Sequence, residues 1–342
     1  MRKKIIMLFT AVLAAVMLFS GCEQIVLVPG KSSGSMPPDS ENSDSSSLSP
    51  YPVVLNGTEI TEPINTVISL TPAYTEIICE MGYKDKLIAV SDYCDYPEEI
   101  TNLPRVASSA DPDIDKIAEL APDLVITATP IVSKDRIALE ADGIKVLTIS
   151  APKTLEEFES IYKLFGLAFD GLFDGEQKGE KAFSDIKKLI DTSKNTDKKK
   201  FIYITAAFSP AGGDTFESAV LSLYGENCAQ SGSGYDYPPE KLLENQPEVV
   251  FISTEFTKEQ LENDDIYGQL DAVQLGRVVE IDNRYFERPS ERITELLKML
   301  NIEFAPNDKE TQSSAGEQAL DDTGESTDDE SGADDTESTN EQ

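Results

Sequence analysis

Two similar α/β lobes are the fold that the sequence predicts. The grounds are an internal repeat, an alternation of strand and helix signals, and a long amphipathic helix between two such series. Segment 115–126 aligns without gaps on segment 240–251, and each copy reads as a short helix headed by an acid, Asp115 or Glu240. Pro122 and Pro247 stop the helices, because the residue before proline is pushed out of the α region. The runs Leu124-Val125-Ile126 and Val249-Val250-Phe251-Ile252 that follow have no polar face, as in strands covered on both sides. A repeat this long exceeds a solenoid period and points instead to duplicated lobes.

The first lobe opens with a strand over 66–70, after which Thr71 and Pro72 mark a helix start with apolar Ile77, Ile78 and Met81 on one face. Strands are expected at 87–90, 124–127 and 145–149, between helices near 113–120 and 133–141. This βαβα order calls for a mostly parallel sheet. Thr154-Leu155-Glu156-Glu157 is a capping box that opens a helix running to about 165. A further helix over 174–193 carries Ala182, Phe183, Ile186, Leu189 and Ile190 on one face and is the natural connection between lobes. The second lobe has strands at 201–205, at the repeat and at 278–281, with helices at 216–223 and 292–300. The expected organisation is therefore 1–21 signal peptide, 22–60 tether, 61–172 first lobe, 173–195 interlobe helix, 196–304 second lobe and 305–342 acidic tail.

The 342 residues suffice for about two domains. A formal net charge of −34 argues against nucleic-acid partners, whose phosphates would be repelled. From Asp308 onward 13 acids face one lysine in a Ser/Thr/Gly-rich run, which cannot bury enough apolar surface to order itself and is expected to be disordered. At the other end, Arg2-Lys3-Lys4 and the apolar run 5–19 form a signal peptide too short for a comfortable membrane span. The run ends in Leu18-Phe19-Ser20-Gly21-Cys22, which resembles the lipobox of bacterial lipoproteins. That resemblance implies diacylation of Cys22, two acyl chains giving the stable anchoring that one does not. The Ser/Pro/Asp-rich run 31–52 then lifts the globular part off the bilayer. Cys79, Cys94 and Cys228 remain, an odd number with no C-x-x-C pair. A disulfide between two of them is left open.

The chain contains no histidine, which removes Ser-His-Asp and Cys-His triads and the commonest general base. Asp111, Asp113 and Asp115 alternate like a calcium loop, but Pro112 and the missing later Gly and Glu break the pattern, so no metal site is expected. Paired carboxylates acting on carbohydrate are the surviving enzyme reading, and no catalytic pair stands out. The expectation is binding without catalysis.

Three further segments carry a family likeness. Val67-Ile68-Ser69-Leu70-Thr71-Pro72-Ala73-Tyr74-Thr75-Glu76, Ser91-Asp92-Tyr93-Cys94-Asp95-Tyr96-Pro97 and Tyr285-Phe286-Glu287-Arg288-Pro289-Ser290-Glu291-Arg292 stand in order at matching spacing. Together they resemble the cobalamin and iron-siderophore substrate-binding proteins of ABC importers, over residues 64–300. The resemblance implies two α/β lobes joined by a single long rigid helix, a ligand cleft between them, and no catalytic residues or resident cofactor. It implies docking of Asp115 and Glu240 on the two permease subunits, the leading acids of the repeat. It also implies a ligand site built from Tyr74, Tyr93, Phe208, Tyr235, Tyr237 and Phe286, with Arg288 as a polar anchor. Cobalamin-binding members carry tryptophans on cleft loops, where this chain has Ser109 and Ala128. The expected ligand is a cobalamin-like corrinoid, with a ferric siderophore or haem as the alternative. The receptor is expected to act as a monomer, lipid-anchored on the outer face of the cell membrane.

Overall fold

The computed structural model describes residues 49–193 and 199–304. The expected signal peptide, Cys22, most of the tether and the acidic tail lie outside these residues. The described chain starts with a hairpin, β1 (Val53–Leu55) and β2 (Thr58–Ile60), in antiparallel register with Val53 opposite Ile60. Asn56 and Gly57 turn it with φ of 46° and 78°, the left-handed pair that a two-residue hairpin favours. Val53, Leu55 and Ile60 are buried, and the Thr58 hydroxyl donates to the Val146 carbonyl at 2.8 Å. The expected tether over 22–60 therefore gives up its final stretch to the first lobe, because three alternating apolar residues there have a core to enter.

The first lobe continues through β3 (Val67–Ser69), α1 (Pro72–Glu80), β4 (Leu87–Val90), α2 (Ile114–Leu120), β5 (Leu124–Thr127), α3 (Ser133–Ala141) and β6 (Lys145–Thr148). Its sheet runs β4-β3-β5-β6, all parallel. After α4 (Leu155–Thr192) come β7 (Lys199–Ile204), α5 (Phe216–Leu221), β8 (Gly225–Asn227), β9 (Val249–Ser253), α6 (Lys258–Glu262), α7 (Asp271–Gln274), β10 (Val278–Ile281), α8 (Arg284–Glu287) and α9 (Ile293–Glu303). The second sheet runs β8-β7-β9-β10, also parallel and in the same order as the first. The two repeat strands, β5 and β9, occupy the same place in their sheets.

The repeat helices differ. In α2 the Asp113 side chain accepts the Lys116 backbone N–H at 3.0 Å, a true N-cap. The second copy has Pro238 at that position, with no side-chain acceptor, and Pro239–Leu243 winds as a 3₁₀ turn. Thr154 and Glu157 form the expected capping box at the start of α4. That helix turns back on itself at Gly171, whose φ of 72° and ψ of −165° leave the helical region. Limb 155–170 and limb 172–192 pack closely: a Cβ added at Gly166 would lie 1.9 Å from the Gly175 carbonyl oxygen, and one at Gly179 2.5 Å from that of Tyr162. The second limb ends at Thr192, seven residues before β7.

One apolar cluster runs through both lobes. It takes Leu124 and Leu147 from the first sheet, Phe158 and Phe183 from α4, and Phe201 and Phe251 from the second. Phe158 meets Phe216 of the second lobe edge-to-face, with ring centroids 5.4 Å apart. The opposite faces of the sheets bury separate clusters, as the alternation of side chains along a strand requires. Cys79, Cys94 and Cys228 are free thiols.

The glycine contact gives the first test. Gly175→Val is expected to lower stability by about 3 kcal/mol, since overpacking against backbone has no flexible neighbour to yield. Urea unfolding of the variant checks it.

Candidate functional site

In parallel sheets the loops at the carboxyl ends of the strands form the crevice where ligands sit. Here the three segments that carried the family likeness converge at those ends. Helix α1 brings the first. Thr71 occupies the N-cap position, but its hydroxyl does not cap the helix. It accepts the Ala128 N–H at 2.8 Å, tying the loop after β5 to the start of α1. One turn on, Glu76 is only 4% exposed. Its carboxylate accepts the Ser290 hydroxyl at 2.6 Å, Arg292 Nε at 2.9 Å and Arg292 Nη2 at 2.6 Å, all from the third segment. This is a two-pronged charge-assisted contact between lobes.

The second segment joins the same cluster. The Arg292 guanidinium lies 4.7 Å from the centroid of the Tyr96 ring, and Arg288 Nη1 pairs with Asp95 across the cleft. A turn below Glu76, Glu80 accepts the Tyr162 hydroxyl at 2.9 Å and the Glu291 N–H at 3.1 Å. Burial pushes the Glu80 carboxyl up to about 8, against the opposing effect of those two hydrogen bonds. On another side of the cleft, Lys153 reaches Asp214 at 3.8 Å.

The expected ligand residues divide. Tyr93 is 64% exposed on the loop that carries Asp95, and Tyr235 is half exposed with its hydroxyl donating to Glu217 at 3.0 Å. Phe286 is buried against Tyr203, edge-to-face at 5.1 Å, and is followed two residues on by Arg288. Glu217 is buried beneath, and burial raises its carboxyl. Tyr235 and Tyr203, and through Tyr203 Phe286, share Glu217: burial and then this nearby acid raise both hydroxyls, while Arg288 meets the loop of Tyr93 through Asp95. The other three are placed elsewhere. Tyr74 is 1% exposed, edge-on to Phe165, with its hydroxyl donating to the Ile149 carbonyl at 2.6 Å. Tyr237 is buried in the outer cluster of the second lobe. Phe208 turns its ring onto Phe256 and Tyr267 of that cluster, from a left-handed backbone with φ of 61°. Their apolar rings are used for packing, and a free Arg288 anchor is replaced by an ion-paired one.

Asp115 and Glu240 are both exposed, at the second residue of their helical turns. Asp115 lines a groove of about 430 Å³ with Asp111, Asp113, Asp135 and Lys134.

The model of the periplasmic binding protein family matches residues 67–285 of this chain. The chain belongs to the periplasmic binding protein family. It is 30% identical over 248 residues to a vitamin B12-binding protein of Vibrio parahaemolyticus, covering 68% of this chain and 86% of that protein. It is 25% identical to the uncharacterized ABC transporter substrate-binding lipoprotein YvrC of Bacillus subtilis, covering 70% and 80%. Among solved structures it resembles the periplasmic heme-binding protein HutB of Vibrio cholerae, with a TM-score of 0.61 at 21% identity over 70% of this chain and 99% of that one. The family member is thus a substrate-binding protein of an ABC importer, and the relatives are transport proteins, not enzymes. Among the described residues no helix is long and apolar enough to cross a membrane.

Glu80 lies outside the three family segments, and Glu76, Asp95, Ser290 and Arg292 lie within them without an expected role. One signal was available: Glu76 and Glu80 stand one turn apart on a helix that also carries Ala73, Ile77 and Ile78, and a carboxylate there needs a partner. Arg292→Met leaves Glu76 buried without its cation and is expected to destabilise by about 3–5 kcal/mol, with the Glu76→Gln/Arg292→Met double variant losing less than the sum. Chemical denaturation of the four species measures this coupling. Glu80 sets a pH dependence. Its carboxyl rises from 4.5 to about 8 on folding, so the folded state keeps a proton that the unfolded chain releases, and stability falls as pH rises through that window. Glu80→Gln is expected to remove about 2 kcal/mol of the stability difference between the two ends of the window, read by urea titration.

Proposed function

We propose that this chain is a lipid-anchored receptor that captures a cobalamin-like corrinoid outside the cell and presents it to the permease of its ABC importer. The observation that carries the reading is the convergence of three loop segments on one cleft, in a chain 30% identical to a vitamin B12-binding protein. Cleft sites for cofactor-sized ligands combine aromatic walls with few polar groups. Exposed Tyr93 and Tyr235 supply ring faces here, with hydroxyls for the amide fringe of a corrin. Phe286 and the Arg288–Asp95 pair close the neighbourhood.

Delivery rests on Asp115 and Glu240. Both are exposed acids at matching places of duplicated lobes, and Asp115 stands in an acidic groove. Arginines of two permease subunits are the complementary partners, since carboxylate–guanidinium contacts combine charge with geometry. Cys22 supplies the membrane attachment, and the receptor works as a single copy with no resident cofactor. The second reading, a ferric-siderophore or haem receptor, is favoured by the fold likeness to HutB.

Calorimetry of the purified chain against cyanocobalamin, haem and a ferric-siderophore panel decides between them. Micromolar or tighter binding of the corrinoid alone is expected, and binding of only haem or a siderophore would replace the corrinoid reading. Asp115→Lys and Glu240→Lys are each expected to abolish uptake by cells while ligand affinity stays unchanged.

A further inference from the structure

The loops that follow the sheet strands in both lobes, up to the next α-helix or strand and counting 282–292 as one, carry six cations: Lys241, which lies over the Tyr237 ring at 5.9 Å, and Arg105, Lys153, Arg284, Arg288 and Arg292. Each is already engaged. Arg105 donates to the carbonyls of Ser91, Cys94 and Thr101. Lys153 reaches Asp214, Arg284 pairs with Asp282, Arg288 with Asp95 and Arg292 with Glu76. The acids of the same loops are not matched in the same way. Asp92, Asp236 and Glu255 are exposed and, among the described residues, pair with no cation, while the only side-chain partner of Glu287 is the Asn283 amide.

We infer that the cleft discriminates by ligand charge, admitting ligands of no net charge and rejecting those whose carboxylates or catecholates leave them with net negative charge. The inference rests on the receptor reading above and deepens it. Binding an anion between the lobes requires desolvating it opposite a cation that can reach it. Arg288 is the cation nearest the aromatic residues of the cleft, and to serve an anion it must release Asp95, leaving that carboxylate beside the incoming charge. Arg292 is less available still, because leaving Glu76 would strand a buried carboxylate. Asp92, Asp236, Glu255 and Glu287 of the same loops, which pair with no cation among the described residues, add repulsion. Cyanocobalamin is neutral overall and mostly amide at its periphery, with its single phosphodiester balanced by the cobalt–corrin cation, so it meets these penalties only at that phosphate. Haem has two propionates and meets all of them.

The test uses two matched pairs on the purified full chain, so that charge is separated from ligand type: cyanocobalamin against haem, and a neutral ferric hydroxamate against an anionic ferric tris-catecholate. Dissociation constants are measured in 20 and 300 mM salt. In whichever pair binds, the neutral member is expected to be at least tenfold tighter at low salt. Added salt is expected to narrow that gap by screening the repulsion. Asp95→Asn, which leaves the Arg288 charge uncompensated, is expected to shift the ratio of the two affinities about tenfold toward the anionic member of that pair. Anionic members binding as tightly as neutral ones, or an Asp95→Asn variant with an unchanged ratio, would overturn the charge rule. Tight binding of the neutral hydroxamate with no corrinoid binding would overturn the corrinoid reading and leave the charge rule standing.

Discussion

The carboxylate of Glu76 sits almost wholly out of water, between the first helix of one lobe and the segment that precedes the last helix of the other. A charge in that position is tolerable only because a guanidinium and a hydroxyl satisfy it from the opposite side. The relation works both ways. Arg292 is fixed by Glu76 and then lies on the Tyr96 ring, and the same short segment presents Arg288 to Asp95. The cleft loops of the two lobes are therefore positioned by one another. The apolar cluster that passes from the first sheet through α4 into the second sheet supports the same arrangement from behind.

Duplication of the lobes explains much of the remaining architecture. Both sheets use the same strand order, so the strand ends that build a cleft wall in one lobe have counterparts in the other. The duplication is not strict. An aspartate cap lets α2 form as an α-helix, and proline in its place leaves a 3₁₀ turn in the second copy, yet Asp115 and Glu240 are exposed in both settings. What the repeat preserves is the strand and the leading acid, while the helix between them varies in form.

Most of the scaffold was legible in the sequence because parallel strands buried on both faces are written as continuous apolar runs. The strands at β4, β5 and β10 and the helix α3 fall where the patterns put them. The hairpin β1–β2 was hidden in a Ser/Pro-rich neighbourhood, its three-residue strands too short to show a period. The sharp corner at Gly171 was hidden too, since glycine in a helical pattern does not announce which conformation it takes. At the site, the resemblance located the right loops but not the division of labour within them. Tyr74 and Phe208 look as suitable for a ligand as Tyr93 does until their neighbours are known. The pairing of Glu76 with Arg292 joins positions 216 residues apart, and no local pattern encodes it.

The charge economy of the cleft follows from the same contacts. The cations that organise the loops are the cations that an anionic ligand would need, so holding the lobes together and excluding carboxylates are two results of one arrangement. The Glu76 contact then holds the two lobes in one relative orientation before any ligand arrives. Pulsed electron spin resonance between labels at positions 116 and 258, one on each lobe, tests it most directly. A single narrow distance distribution without ligand, broadening in Arg292→Met, is the predicted result. A broad or two-peaked distribution in the unmodified sequence background would contradict it.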